Sequence, residues 1–500
     1  VLGASTTIAA DAFYTANAFP NLFRRILAEG AFTAAFVPGY SRRLADDEGK
    51  ADRFASEALA CVALAALVIS TVCLLAMPWL MYAINPGYVS NPAKFKLAIV
   101  LTQITMMYLP FIVIASLFAS VLNARGRFAV SALYPSILNV CNLAFVIPQK
   151  DPVHAAYAAS ISVIVSGLLQ AGIVWWFAKK TGCRIRLVRP RLTPDMKQLV
   201  KVGGPNAISQ SATQINIFIT GILASQVAGG RTWNEVAARL YQLPLSLVGV
   251  AIGVALLPRL AQALQREDHD EAQGSMDLAM VFALALSLPA AAALVSIPFF
   301  LIDGLFTRGQ FVAADSQGAA NLLLHFGWGV PAFVLLRVLQ PAFFARDDTK
   351  TPMKYSLISV AVNIGLGVSL FPLIGLAGVA VATSAAAWIS VIQMAVALWR
   401  RDVYRPSKHA MSKMARITAA SVIMGVVLAV LSYLRPELEA PLRAHMEHGA
   451  KEIALLATCG IGAAVYAVLL LALGGVTMAE IRTATKRTRG QAPAPQPDLS

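Results

Sequence analysis

The chain has 500 residues, of which 57% are hydrophobic and only 13% charged, and 41 Lys and Arg against 26 Asp and Glu give it a formal charge of +15. An average soluble domain is about 25% charged, so a soluble chain this apolar could not cover its surface. Soluble enzymes, secreted disulfide scaffolds and disordered regulators are thereby excluded.

Apolar runs and their breaks predict an all-α polytopic membrane protein with about thirteen spans. They lie near 8–40, 54–84, 95–122, 127–148, 153–178, 198–228, 233–257, 275–303, 317–344, 353–371, 376–399, 413–434 and 452–476. The first carries Asp11, Asn17, Pro20, Asn21, Arg24, Arg25 and Glu29. At 3.6 residues per turn Asp11, Asn21, Arg25 and Glu29 share one face, and roughly 27 Å of helix separates the ends of this polar stripe. Arg25 and Glu29 form an i,i+4 pair, and Pro20 removes a backbone hydrogen bond and favours a kink. Such a helix is expected to line a hydrated cavity. The sixth span is polar from Pro205 to Thr220, through interhelical hydrogen bonding or as further cavity lining. In the seventh, Arg239 precedes Pro244, another expected kink; the ninth carries His325 and Arg337. After Ile481 the chain is basic and Pro-rich, as in a disordered tail.

More than two thirds of the basic residues lie in the loops after alternate spans and in the C-terminal tail, above all at 179–201. By the positive-inside rule that side and the C-terminus are cytoplasmic, and the excess charge calls for no nucleic acid. Val1 then falls outside, so one preceding span is expected, making fourteen. Five cysteines show no metal or disulfide spacing.

An offset of 221 residues aligns Pro110 with Pro331, Ala124-Arg125 with Ala345-Arg346, Tyr134 with Tyr355 and Asn142 with Asn363. A further gap of two aligns Gln170 with Gln393 and Trp176 with Trp399. An even number of spans lies within the offset, so the two copies run the same way across the membrane, as in transporters with parallel repeats. The expected organisation is two six-helix lobes, 1–190 without its first helix and 191–407, then an extra helix pair at 408–478 and a tail at 479–500.

Four arginines remain inside spans: Arg24, Arg25, Arg239 and Arg337. Each costs about 2.5–3.5 kcal/mol at a helix centre, so each is expected to meet water, a carboxylate or a ligand. For Arg337 a structural ion pair or snorkelling is an even alternative. Permanently charged, forked guanidinium groups suit carboxylate or diphosphate recognition and exclude proton carriage, which points to an anionic cargo.

The stretch Asp11-Ala-Phe-Tyr, Pro20-Asn-Leu-Phe-Arg-Arg-Ile-Leu-Ala-Glu-Gly-Ala-Phe and Phe36-Val-Pro resembles the N-terminal signature of the MurJ/MviN family of lipid II flippases. Gly249 to Pro258 and Leu339 to Pro352 resemble that family too. The resemblance implies the multidrug/oligosaccharidyl-lipid/polysaccharide exporter fold. It also implies transport of undecaprenyl-diphosphate-disaccharide-pentapeptide to the outer leaflet of a bacterial inner membrane, for cell wall synthesis. Asp11, Arg24, Arg25, Glu29 and Arg239 match charged cavity positions of such proteins, Arg337 falls where they usually have a basic residue, and 413–476 would form the lipid-tail groove. Members begin with a further helix bearing cavity Arg and Asp residues, which this sequence lacks. No catalytic residue, metal or cofactor is expected; a coupling ion or the membrane potential would drive a protein working as a monomer, with membrane lipids as its other contacts. A cation-coupled exporter of the same superfamily would favour an acidic, aromatic cavity. A membrane glycosyltransferase would need acidic or His clusters and sizeable outer loops.

Overall fold

Polar caps and prolines divide a chain that is otherwise helical in its computed structural model, which describes residues 2–27, 31–266, 268–346, 348–445 and 449–475. Within these, the side chains of 26–27, 31, 34, 202–215, 247–259, 261, 443 and 445 are left undescribed. In order the helices are α1 (Ala9–Leu27), α2 (Ala31–Asp46), α3 (Glu48–Ile84), α4 (Pro92–Met106), α5 (Leu109–Ala124), α6 (Phe128–Leu133) and α7 (Ser136–Val146). Then come α8 (Pro152–Lys180), α9 (Pro194–Ser225), α10 (Gly230–Gln265), α11 (His269–Ser296), α12 (Pro298–Phe306), α13 (Ala313–Gly327) and α14 (Val330–Phe344). The last are α15 (Lys350–Ile374), α16 (Leu376–Arg400), α17 (Lys408–Tyr433), α18 (Arg435–His445) and α19 (Ala450–Ala472), and a short 3-10 turn, Pro86–Ser90, follows α3.

Helix starts follow local chemistry. The side chains of Asp47, Asn91, Asp151, Thr193, Asp268 and Ser407 each accept a hydrogen bond from the amide three residues on, supplying a partner the helix cannot. Among the described residues ten helices or helix pairs are long and apolar enough to cross a membrane. The other three expected spans, 8–40, 198–228 and 233–257, coincide with α1–α2, α9 and α10, the polar helices of the set.

The internal duplication is visible in the breaks. The spans Pro92–Ala124 and Ala313–Phe344 are each interrupted midway, between α4 and α5 and between α13 and α14. Pro110 and Pro331 sit in the first turn of the helix after each break, where the missing amide is harmless. It is visible in side chains too: Ser162 Oγ donates to Asn142 Oδ1 at 3.0 Å, and Thr383 Oγ1 to Asn363 Oδ1 at 3.3 Å.

The chain divides into two compact units. The first comprises Val1–Glu235, Thr307–Gly318 and Val368–Val379. Its core is built by α1, α3, α4, α5 and α8 around Phe13, Met77, Met81, Leu101 and Leu109, and by α2, α3 and α5 around Phe36, Tyr40 and Phe54. Gly167 brings α8 close to α5, since a Cβ there would lie 2.5 Å from the Tyr108 ring. α9, assigned to the second lobe by the sequence offset, packs with α1, α2 and α3.

The second unit comprises Val236–Phe306, Ala319–Gly367 and Ala380–Ser500. There α17 packs along α11, with Ile417 fully buried, and α19 packs on α12 and α17. Ionic contacts hold this appended pair: Arg435, opening α18, bonds Asp303 of α12 and Glu439 (2.5 Å), and Lys451 lies 3.2 Å from Asp303.

Candidate functional site

Asp11 lies in the first turn of α1 and is wholly buried. A carboxylate in that position must be matched by donors, because a lone buried charge is prohibitively unfavourable. Four groups supply them. Lys94 Nζ, from the first turn of α4, lies 2.6 Å from Oδ2. The Gly229 amide donates to Oδ2 at 3.0 Å, while Thr232 donates to Oδ1 through its amide at 3.0 Å and its hydroxyl at 2.7 Å. Asp11 therefore caps α10 from another helix, its negative charge facing the positive end of that helix dipole.

Further polar groups close around it. Tyr88 Oη donates to the Asp11 carbonyl at 3.2 Å and shares a hydrogen bond with Thr15 at 3.0 Å. Lys94 Nζ sits 4.3 Å from the Tyr88 ring centre. Arg231 donates to Asn85 Oδ1 at 2.7 Å. Asp315, also fully buried, accepts from the Ser5 amide at 2.9 Å, the Ser5 hydroxyl at 2.5 Å and Trp233 Nε1 at 3.1 Å. Thr232 follows Asp11 by 221 residues, and Asp315 follows Lys94 by the same 221, so these four residues stand at corresponding points of the two sequence copies.

Lys94 and Arg231 fall between the expected spans, where a cation is ordinarily solvated. The correction is physical: Lys94 is only 7% exposed, and the Arg231 Nε is buried. Buried cations are thus found outside the expected spans. The repeat offset equates Asp11 with Thr232 and Lys94 with Asp315, an equivalence of position that does not disclose the contact between Asp11 and Lys94.

Toward the other end of α1, Arg24 is half-buried and its Nε donates to Asn21 Oδ1 at 3.2 Å, while Arg25 is exposed. α1 runs on through Pro20 without a break in its assignment, as α10 does through Pro244. The structure thus keeps Asp11, Asn21, Arg24 and Arg25 on one helix but seals Asp11 among protein donors, away from the arginine end. Glu29 lies outside the described residues. In the second unit Arg239 is exposed on α10 and Arg337 exposed on α14. Of the polar span, Asn216 and Thr220 are half-buried on α9, and the side chains of 205–214 lie outside the description. His325 is half-buried, its carbonyl accepting the Ser384 hydroxyl at 2.7 Å. Chemically, these exposed guanidinium groups can bind an anion in one or two hydrogen bonds each without changing protonation state.

Known proteins resemble the chain in sequence and in fold. The family described as "Lipid II flippase MurJ" matches residues 1–439. A probable lipid II flippase MurJ of Rhizobium tropici is 37% identical over 496 residues, covering 98% of this chain and 92% of its own. The lipid II flippase MurJ of Burkholderia cenocepacia is 31% identical over 424 residues, covering 83% of this chain and 82% of its own. Among solved structures, a lipid II flippase MurJ in an inward closed conformation superposes with a TM-score of 0.76 at 21% identity, covering 93% of this chain and 92% of that one. An inward-facing multidrug resistance transporter of the MATE family reaches 0.61 at 19% identity, covering 81% of this chain and 95% of that one, a likeness of fold alone.

Proposed function

The chain belongs to the MurJ family of lipid II flippases, and from that premise we propose how its own residues move the lipid. It is a multi-pass membrane transporter, not an enzyme, and its substrate is lipid II, the lipid-linked precursor of peptidoglycan. The observation that carries the mechanism is arginine set on helices within the expected spans: Arg24 steadied by Asn21 and Arg25 beside it on α1, Arg239 on α10 and Arg337 on α14.

The diphosphate of the cargo needs cations in a low-dielectric slab, whereas its polyprenyl tail remains in lipid. Guanidinium groups substitute for the water and counterions that the headgroup leaves behind. Alternating access then exposes the headgroup to either side in turn. The basic loops and C-terminus face the cytoplasm of a bacterial inner membrane. An inside-negative potential favours outward movement of an anion by ~2.3 kcal/mol per charge per 100 mV, with no cofactor required. The protein works as a monomer, with α17 and α19 bordering the path of the lipid tail.

Arg24→Ala and Arg239→Ala are each expected to abolish transport while leaving membrane insertion intact. The measurement is growth of cells whose only copy carries the change, alongside accessibility of the lipid-linked precursor from outside. Normal growth with full precursor export would remove these arginines from the mechanism.

A further inference from the structure

At the end of α8 a cleft of about 520 Å³ is lined by Phe118, Trp175, Lys179, Arg184 and Arg186, together with Gly182 and Cys183. Its lining holds three cations and no carboxylate. The chain beyond, 183–192, is outside the helices and interleaves basic with apolar residues. Its backbone is pinned along α3. The Arg184 amide donates to Asp52 Oδ2 at 2.7 Å and the Arg186 amide to Ser56 Oγ at 3.0 Å. Farther on, Cys61 Sγ lies 3.6 Å from the Arg191 carbonyl, and Thr193 Oγ1 donates to Glu57 Oε2 at 2.7 Å. The anchor points rise along α3 from Asp52 through Ser56 to Cys61 and return to Glu57, so the strap is fixed at four places while its guanidinium groups stay exposed.

The nearby acids already have partners: Arg125 lies 3.3 Å from Asp52 and Arg53 lies 3.4 Å from Glu57. Among the described residues no carboxylate lies within ion-pair distance of Arg184 or Arg186. Trp175 and Trp176 are 47% and 46% exposed, with Lys179 and Lys180 standing 5.6 and 3.9 Å from their ring centres. Aromatic rings capped by lysines mark the depth of the headgroup layer. Leu187 and Leu192 are 77% and 70% exposed on the strap, as expected of side chains dipping into an acyl boundary. Leu168, Leu169 and Ile173 continue an exposed apolar face down α8.

We propose that this cleft binds the phosphate of an anionic glycerophospholipid, with the acyl chains laid along α8. Assigning that lipid to the cytoplasmic leaflet rests on the orientation given above; the binding itself does not, and it is independent of the transported cargo. Each basic residue near an anionic headgroup contributes about fivefold in affinity, so three matter.

The test uses the purified full chain in neutral detergent, free of cargo lipid, with phosphatidylglycerol, phosphatidylcholine and inorganic phosphate as probes. Native mass spectrometry and thermal melting are the readouts. Phosphatidylglycerol is expected to remain bound and to raise Tm, whereas the other two leave both unchanged. Lys179→Gln/Arg184→Gln/Arg186→Gln should weaken phosphatidylglycerol binding at least tenfold, and Arg186→Gln alone about fivefold. A triple change elsewhere on the basic side, Arg400→Gln/Arg405→Gln/Lys408→Gln, should preserve it. Equal binding of phosphatidylcholine, undiminished binding by the cleft variants, or inorganic phosphate binding as tightly as the lipid would each overturn the assignment.

Discussion

Truncating Asp11 to alanine would strand the Lys94 ammonium in a buried site beside the Tyr88 ring, without its carboxylate, and would uncap α10. Breaking a buried pair from one side costs about 3–5 kcal/mol, whereas replacing both partners with apolar groups is often close to neutral. Asp11→Ala is therefore expected to lower Tm sharply, and Asp11→Ala/Lys94→Met to recover most of the loss, as a double-mutant cycle on purified protein can read. Asp348, in the loop before α15, is a second residue with a measurable signature. The Thr351 hydroxyl and the Arg401 guanidinium hold its carboxyl at about 2, against an ordinary 3.8. A depressed carboxylate stabilises the fold above its unfolded value and loses that contribution as pH falls through the folded one. The loop contact should thus be intact at pH 5 and drain between about 4 and 2, a titration that Asp348→Asn removes. The importance of Asp11 was legible from a charge in an apolar run. Its partners were not, because they lie 83 and 221 residues away in sequence.

At the scale of elements, helices and most of their limits follow from apolar runs and caps, and one contrast shows how local the control is. Pro135 separates α6 from α7, while the corresponding position in the second copy is Ser356, and α15 runs unbroken through it. An amide available at that point is sufficient to continue the hydrogen-bond ladder. What the sequence pattern does not disclose is which helices approach closely. Gly167 reads as one small residue among many in α8, yet a side chain there meets the Tyr108 ring. Gly167→Val should destabilise the first unit by about 1–3 kcal/mol through overpacking, seen as a lower Tm with helix content retained.

At the scale of the molecule, the duplication was readable from scattered identities, and the structure adds a bond that recurs with it. Ser162→Ala and Thr383→Val remove corresponding hydrogen bonds, so each is expected to cost about 1 kcal/mol, with near-additive effects in the double variant. The appended helices follow neither copy and depend on their own ionic anchor. Asp303→Asn should leave Arg435 and Lys451 with a weakened acceptor and reduce hydrogen-exchange protection in α18 and α19, while α3 and α5 keep theirs. The arginine positions were legible because charge is conspicuous in apolar sequence. The strap along α3 was not, because its fixing depends on Asp52, Ser56 and Glu57, residues that look like ordinary solvated positions at a helix start.

The cluster around Asp11 also sets an order of events during biosynthesis. Lys94 leaves the ribosome 83 residues after Asp11, and Thr232 follows 221 residues after it. At about 5–20 residues per second the carboxylate waits roughly 4–17 s for its ammonium and roughly 11–44 s for the helix end it caps. Until then the nascent α1 carries a charged end whose Lys94 and Thr232 partners have not yet been made. The full set of donors to Asp11 is complete only after roughly 11 s or more of synthesis, and water or the insertion machinery is expected to solvate the carboxylate meanwhile.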